Sequence, residues 1–430
     1  MNTPAKKPAK PYITAKKWTV LAITALALSG IFSVLLILGR TTDLFTTLPE
    51  QDFFKTSLII HVNLGILVWL LSSALAYLSY LNPPKTSSFN IAAIATVLIT
   101  ASPFFFGGEG FLNNYVPIYD NTIFKIGIAL YLFAFLSEIV LVASGSSNVF
   151  IRSIEEITLL AFLSFFATSL PLLGADSTHA LYESLFWSFG HLLQFVYLFS
   201  MLMAWHYLLK HLGATLYVGE KLQRLFVIAA YISTITFFVL YEVESGQFIN
   251  AFTQQMIWGG LIAVPFIFSL IRHLFSNFKF QNFKNIPYIA LFYSLLLFLL
   301  GGSLAGYAAK TLLIDGDITT IIPAHYHGST IAVTIALMGL IYMLIPKLGG
   351  RPISGRLPRI QLHAYSIGQA LYIIGLAILG GHGAARKTVG IAQLDVSPIV
   401  THVMRGGGAL VLIGGLMFVW IVARAFLKKR

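Results

Sequence analysis

Residues 323–330 read PAHYHGST and open an apolar run, IAVTIALMGLIYMLIP, with the length and composition of a membrane helix. Ionisable side chains at the mouth of such a helix are costly to insert into lipid, so His325 and His327 require a reason. Runs of about 20 apolar residues recur along the whole chain. Of the 430 residues, 57% are hydrophobic and 10% charged; a soluble domain carries about a quarter charged residues. The fold expected is an all-α polytopic membrane protein.

Twelve spans are expected, near 18–40, 57–81, 90–107, 122–144, 151–173, 181–209, 223–245, 250–275, 286–307, 320–346, 359–380 and 401–426. The basic segment 1–17 is expected as a disordered cytoplasmic tail, and 18–430 as one twelve-helix domain. The first apolar run is too long for a signal-peptide core and lacks a small-residue cleavage site. Loops after even-numbered spans, such as KHLGATLYVGEKLQR and PKLGGRPISGRLPR, are basic. Those after most odd-numbered spans, such as DLFTTLPEQD and GADSTHALYE, are acidic. The bias places both termini on the cytoplasmic side of a cell (inner) membrane. It also accounts for the net charge of +12 without nucleic acid as a partner. The loop GGHGAARKTVG breaks the pattern, because it puts His382, Arg386 and Lys387 on the outer face. These are either ordinary surface residues or a site for an anion.

Cysteine is absent, which excludes disulfides, iron–sulfur clusters, thiolate metal sites and covalent c-type haem attachment in this chain. Any metal falls to the 11 histidines, carboxylates, tyrosines or backbone. Depth sorts the histidines. His61 on the second span lies about 7 Å inside the outer end, and His325 and His327 on the tenth about 6–9 Å. His191 on the sixth is expected somewhat deeper. A lone histidine in a bundle usually bonds a backbone carbonyl or a serine; four in one layer point to a shared purpose. Residues i and i+2 of a helix are about 200° apart, so His325 and His327 cannot chelate one ion but can serve two partners flanking the helix. Two haems would suit that geometry.

These residues resemble catalytic subunit I of the haem-copper oxidase superfamily, which includes cytochrome oxidases and nitric oxide reductases. That family has twelve spans with both termini inside. Its tenth helix carries H-x-H, matched here by AHYHG. The resemblance implies that His325 binds a high-spin haem and His327 a low-spin haem. It makes His61, in IIHVNLGI, the second low-spin ligand. It makes His191, in FGHLLQFVY, a ligand of the active-site metal. Arg386 and Lys387 match a basic pair that contacts haem propionates. The implied function is a haem-bearing membrane oxidoreductase subunit that passes electrons from the low-spin to the high-spin haem and reduces O2 or NO. A cytochrome or copper subunit, or a quinol, would supply the electrons.

The chain departs from the family on its seventh span, LFVIAAYISTITFFVLYEVESGQF, which lacks the usual His-His pair. Tyr241 and Glu242 stand at that spacing. A carboxylate favours a harder metal than copper, so His191 and Glu242 could hold a non-haem iron with Tyr241 nearby, as in a nitric oxide reductase. The alternative is that no second metal binds. Four residues after His191, where the family has a crosslinked tyrosine, stands Phe195, with Tyr197 beyond. Glu138 on the fourth span could carry protons. Two further readings stay open: a haem-binding but inactive homologue used in electron transfer or gas sensing, and a twelve-helix transporter, which would require two similar halves.

Overall fold

The computed structural model describes residues 12–41, 50–143, 146, 148–216, 218–219, 221–222, 224–225, 228, 232, 254–256, 258–276, 279–313, 319–387 and 396–427. Helix α1 runs Tyr12–Thr41 and starts six residues ahead of the apolar run that predicts it. Lys16 and Lys17 make the early start tolerable. Their ammonium groups lie 4.9 Å and 5.4 Å from the ring centroids of Phe426 and Phe89, so the apolar stems lie along the helix while the charges meet aromatic faces.

The second span has three parts: α2 (Glu50–Val62), a π-helical turn (Asn63–Val68) and α3 (Trp69–Leu81). Such π turns gather at functional sites. A short helix follows, α4 (Phe89–Phe105), then a hairpin of β1 (Gly110–Phe111) and β2 (Ile118–Tyr119), paired antiparallel. Further α-helices among the described residues are α5 (Thr122–Ala143), α6 (Val149–Ser169), α7 (His179–His211), α8 (Val264–Ser276), α9 (Ile286–Leu313), α10 (Ile321–Leu344), α11 (Arg356–Gly381) and α12 (Pro398–Leu427). Among the described residues, nine stretches are long and apolar enough to cross a membrane. Eleven of the twelve expected runs coincide with a helix. The seventh, 223–245, lies almost wholly outside the described residues, as do Tyr241 and Glu242.

Glu138, the candidate proton carrier of the fourth span, is fully buried on α5. Its carboxylate accepts from Ser88 N (2.8 Å), Ser88 Oγ (3.0 Å) and Ser87 Oγ (3.1 Å). These donors stand at the N-terminus of α4, where backbone N–H groups lack helical partners. Glu138 therefore ties α4 to α5.

Consecutive helices pack as hairpins, with α9 against α10 and α11 against α12. Gly301 and Gly328 let α9 and α10 touch: a Cβ on Gly328 would lie 2.5 Å from the Gly301 Cα. Buried polar bonds fix the register between spans. Trp69 Nε1 donates to Thr334 Oγ1 (3.2 Å), joining α3 to α10. Trp205 Nε1 donates to Ser294 Oγ (2.8 Å), which donates to the Ala332 carbonyl (2.8 Å), joining α7, α9 and α10.

Candidate functional site

The Trp69–Thr334 bond is a depth gauge for two of the predicted histidines. His61 lies eight residues before Trp69, and His327 seven residues before Thr334. Both segments run in the same direction. At about 1.5 Å per residue His327 sits roughly 10 Å toward one end of the bundle; six of the residues between His61 and Trp69 are π-helical and advance less per residue, so His61 lies at about that level too. His191 joins that layer. Gly339 packs against Leu208; His325 is fourteen residues before the first and His191 seventeen before the second. The two differ by about 5 Å along the axis. The difference moves His191 toward the histidine end, not deeper as expected.

Each of the four has its Nδ1 on a backbone carbonyl. His61 Nδ1 meets Ser29 O at 2.9 Å and Ser29 Oγ at 3.0 Å, and that hydroxyl donates to the His61 carbonyl (3.0 Å). His325 Nδ1 meets Gly301 O at 2.8 Å. His327 Nδ1 meets Pro323 O, and His191 Nδ1 meets Trp187 O, each at 2.8 Å. A carbonyl can only accept, so Nδ1 carries the proton and Nε2 the lone pair. That is the tautomer a metal-ligating histidine adopts. The bond alone does not select these four, because exposed His211, His382 and His402 also bond the carbonyl four residues back. Position in the bundle selects them. For His61 and His325 the carbonyl belongs to another span, so the rings are aimed by helix packing. The π turn beside His61 is part of that aiming: a Cβ on Gly65 would come within 2.6 Å of Ser29 Oγ, the hydroxyl that holds His61.

The β-hairpin loop 112–117, LNNYVP, closes the histidine end. Asn113 shapes it, donating to Val116 O (2.7 Å) and accepting from Ile118 N (3.1 Å). Asn63, first residue of the π turn, donates to Pro117 O (2.7 Å). Asn114 N donates to Glu183 on α7 (2.8 Å), and the Asn114 amide bonds the same carboxylate. Arg386 and Lys387 converge on the Asn114 side-chain oxygen, the lysine at 3.3 Å, and Lys387 also bonds the Leu112 carbonyl. These cations reach the site because Thr319 pairs with Ala385, fastening the segment after α11 to the start of α10. The predicted basic pair is therefore at the histidine end, on a network of Asn114 and Glu183.

Tyr115 reaches from this loop to His191. Its hydroxyl lies 3.0 Å from His191 Nε2, and its ring centroid 4.8 Å from the imidazole, which has Trp187 4.9 Å away. Gly190 makes the approach possible, since a Cβ there would lie 2.0 Å from Tyr115 Cγ. Burial and then the Glu183 charge raise the phenol pKa, so Tyr115 is an O–H donor near neutral pH. Sequence reasoning missed Ser29, Asn63, Glu183 and Tyr115. The signals available were the glycine before His191 and the paired asparagines of the loop.

Comparison with known proteins places this geometry. The family described as cytochrome c and quinol oxidase polypeptide I matches residues 14–417. An uncharacterized protein of Rickettsia prowazekii (strain Madrid E) is 27% identical across 96% of this chain and 96% of its own length. A haem-copper oxidase subunit I+III of Aeropyrum pernix is 28% identical over 44% of this chain and 24% of its own length. The cryo-EM structure of a haem-copper terminal oxidase dimer superposes with a TM-score of 0.68, covering 98% of this chain and 85% of that chain at 15% identity. The chain is a multi-pass membrane protein that belongs to the cytochrome c and quinol oxidase polypeptide I family, the subunit I family of the haem-copper oxidases.

Proposed function

We propose that the chain is a haem-bearing oxidoreductase subunit in which His61 and His327 hold a low-spin haem and His325 a high-spin haem. The observation that carries this reading is the common level of His61 and His327 on two separate spans, each with its lone pair on Nε2. The donor set fits haem. All three rings are half-buried, on segments whose neighbours Ile59, Ile60 and Ala324 are fully buried, so they stand at a recess in the packing. Bound haems would supply one-electron transfer and, on the iron held by one imidazole, an open position for O2 or NO. The chain's own residues orient the imidazoles through Ser29, Gly301 and Pro323, and bring two cations to the histidine end. Arg386 and Lys387 suit the propionates as anionic partners. Electrons would come from a cytochrome, a copper-bearing subunit or a quinol.

The described residues do not fit a copper ion beside His191. Copper favours several imidazoles, whereas among the described residues no three His, Cys, Asp or Glu side chains gather to hold a metal. A non-haem iron on His191 and Glu242 would draw on a residue outside the described ones. The Tyr115–His191 bond favours a second reading, a haem protein of this fold that binds a gas or relays electrons without a second metal.

Difference spectra of the purified protein, with haem and metal counts, test the proposal. His61→Ala and His327→Ala should each abolish the low-spin signal. His325→Ala should remove carbon monoxide binding and leave that signal largely intact. Unequal behaviour of His61→Ala and His327→Ala would break the ligand assignment.

A further inference from the structure

We infer that Tyr115 occupies the coordination position of His191, so that the α7 side of the histidine layer carries a phenol–imidazole pair where the family carries copper. The first ground is proton placement. Trp187 O fixes the His191 proton on Nδ1, leaving the Nε2 lone pair to accept the Tyr115 O–H at 3.0 Å. A metal on this ring would sit about 2.0 Å from Nε2 along that same lone pair. It would have to displace the phenol proton.

The second ground is that the pair is built. Tyr115 adopts φ 65°, a left-handed conformation that bulky residues rarely take and that persists where surroundings enforce it. The enforcing contacts are the Asn113 bonds within the loop, the Asn114–Glu183 tie and the Asn63–Pro117 bond. Gly190 supplies the space for the ring. Trp187 packs edge-on to it, with centroids 5.7 Å apart. Flipping the backbone at Tyr115 would disturb the neighbouring bonds of Asn114 to Glu183 on α7 and of Pro117 to Asn63 on the second span. Tyr115 is thus a positioning residue for His191. A role for the pair beside a haem would rest on the haem reading above; the pair itself does not.

The test uses the full-length chain in detergent, with copper and iron counted per chain and the histidines followed by 15N NMR. Wild type should carry no stoichiometric copper, even from copper-supplemented cells. Tyr115→Phe keeps the packed ring and removes the hydroxyl. It should move the His191 Nε2 resonance downfield, as a lone pair losing its donor does, and leave Nδ1 in place. Gly190→Ala, which crowds the ring, should move the same resonance. One copper per chain that disappears in His191→Ala would overturn the inference, as would a Nε2 resonance unmoved in both variants. Neither readout needs haem, so a haem-free preparation would count against the proposed function alone.

Discussion

An ammonium beside a guanidinium, half-buried, needs an anion, and Lys387 has only a distant share in one. Burial and the adjacent Arg386 push its pKa down to about 7, with Glu183 pulling the other way. Unfolded, the same group titrates near 10.4. If a propionate docks on this pair, its charge raises the Lys387 pKa again, and binding takes up a proton. Binding that takes up protons weakens as pH rises. Haem affinity should therefore fall between about pH 7 and about pH 9, and level off below about pH 6, where Lys387 is charged in either state. Lys387→Met should flatten the profile. Titration of haem into the apoprotein across that range is the measurement. A flat wild-type profile would show that no propionate reaches Lys387.

At the scale of elements, the start of α4 depends on a distant side chain. At 17 residues it is short for a span, and its first turn is capped from α5 by Glu138. Removing the carboxylate leaves the buried Ser88 N–H without its acceptor, at about 1–3 kcal/mol, while Ser88 Oγ keeps the Ala134 carbonyl and exposed Ser87 can turn to water. Glu138→Ala should lower the melting temperature in detergent clearly, and Glu138→Gln, which retains an acceptor oxygen, by less. A proton-carrying role makes the opposite prediction. Glu138→Gln would then abolish turnover at unchanged melting temperature. The two profiles separate the cap from the proton carrier that its place on an apolar span suggests.

For the whole molecule, hydropathy made the helices legible because lipid forces each span to satisfy its own backbone. The i, i+2 spacing made the two faces of α10 legible because helix geometry leaves no other arrangement. Neither could show loop 112–117, whose contacts to residues 63, 183, 191, 386 and 387 are set by how distant spans come together. Tyr115 was hidden for a further reason: its left-handed backbone is one that no local preference of tyrosine announces. Yet this loop joins the second span, the sixth span and the segment that follows the eleventh, at the end where the histidines lie. Asn114 is its hub, receiving Arg386 and Lys387 and bonding Glu183 through both amide groups. Asn114→Ala keeps the backbone bond and deletes the side-chain ones. It should cost about 1–3 kcal/mol through the charged groups left without that partner. Because one loop serves three spans, the effect should spread. Hydrogen exchange should quicken in 110–119 and in the first turns of α7 together, and bound haem should dissociate faster. Exchange confined to the loop, with haem retention unchanged, would mean that the loop covers the site without holding it.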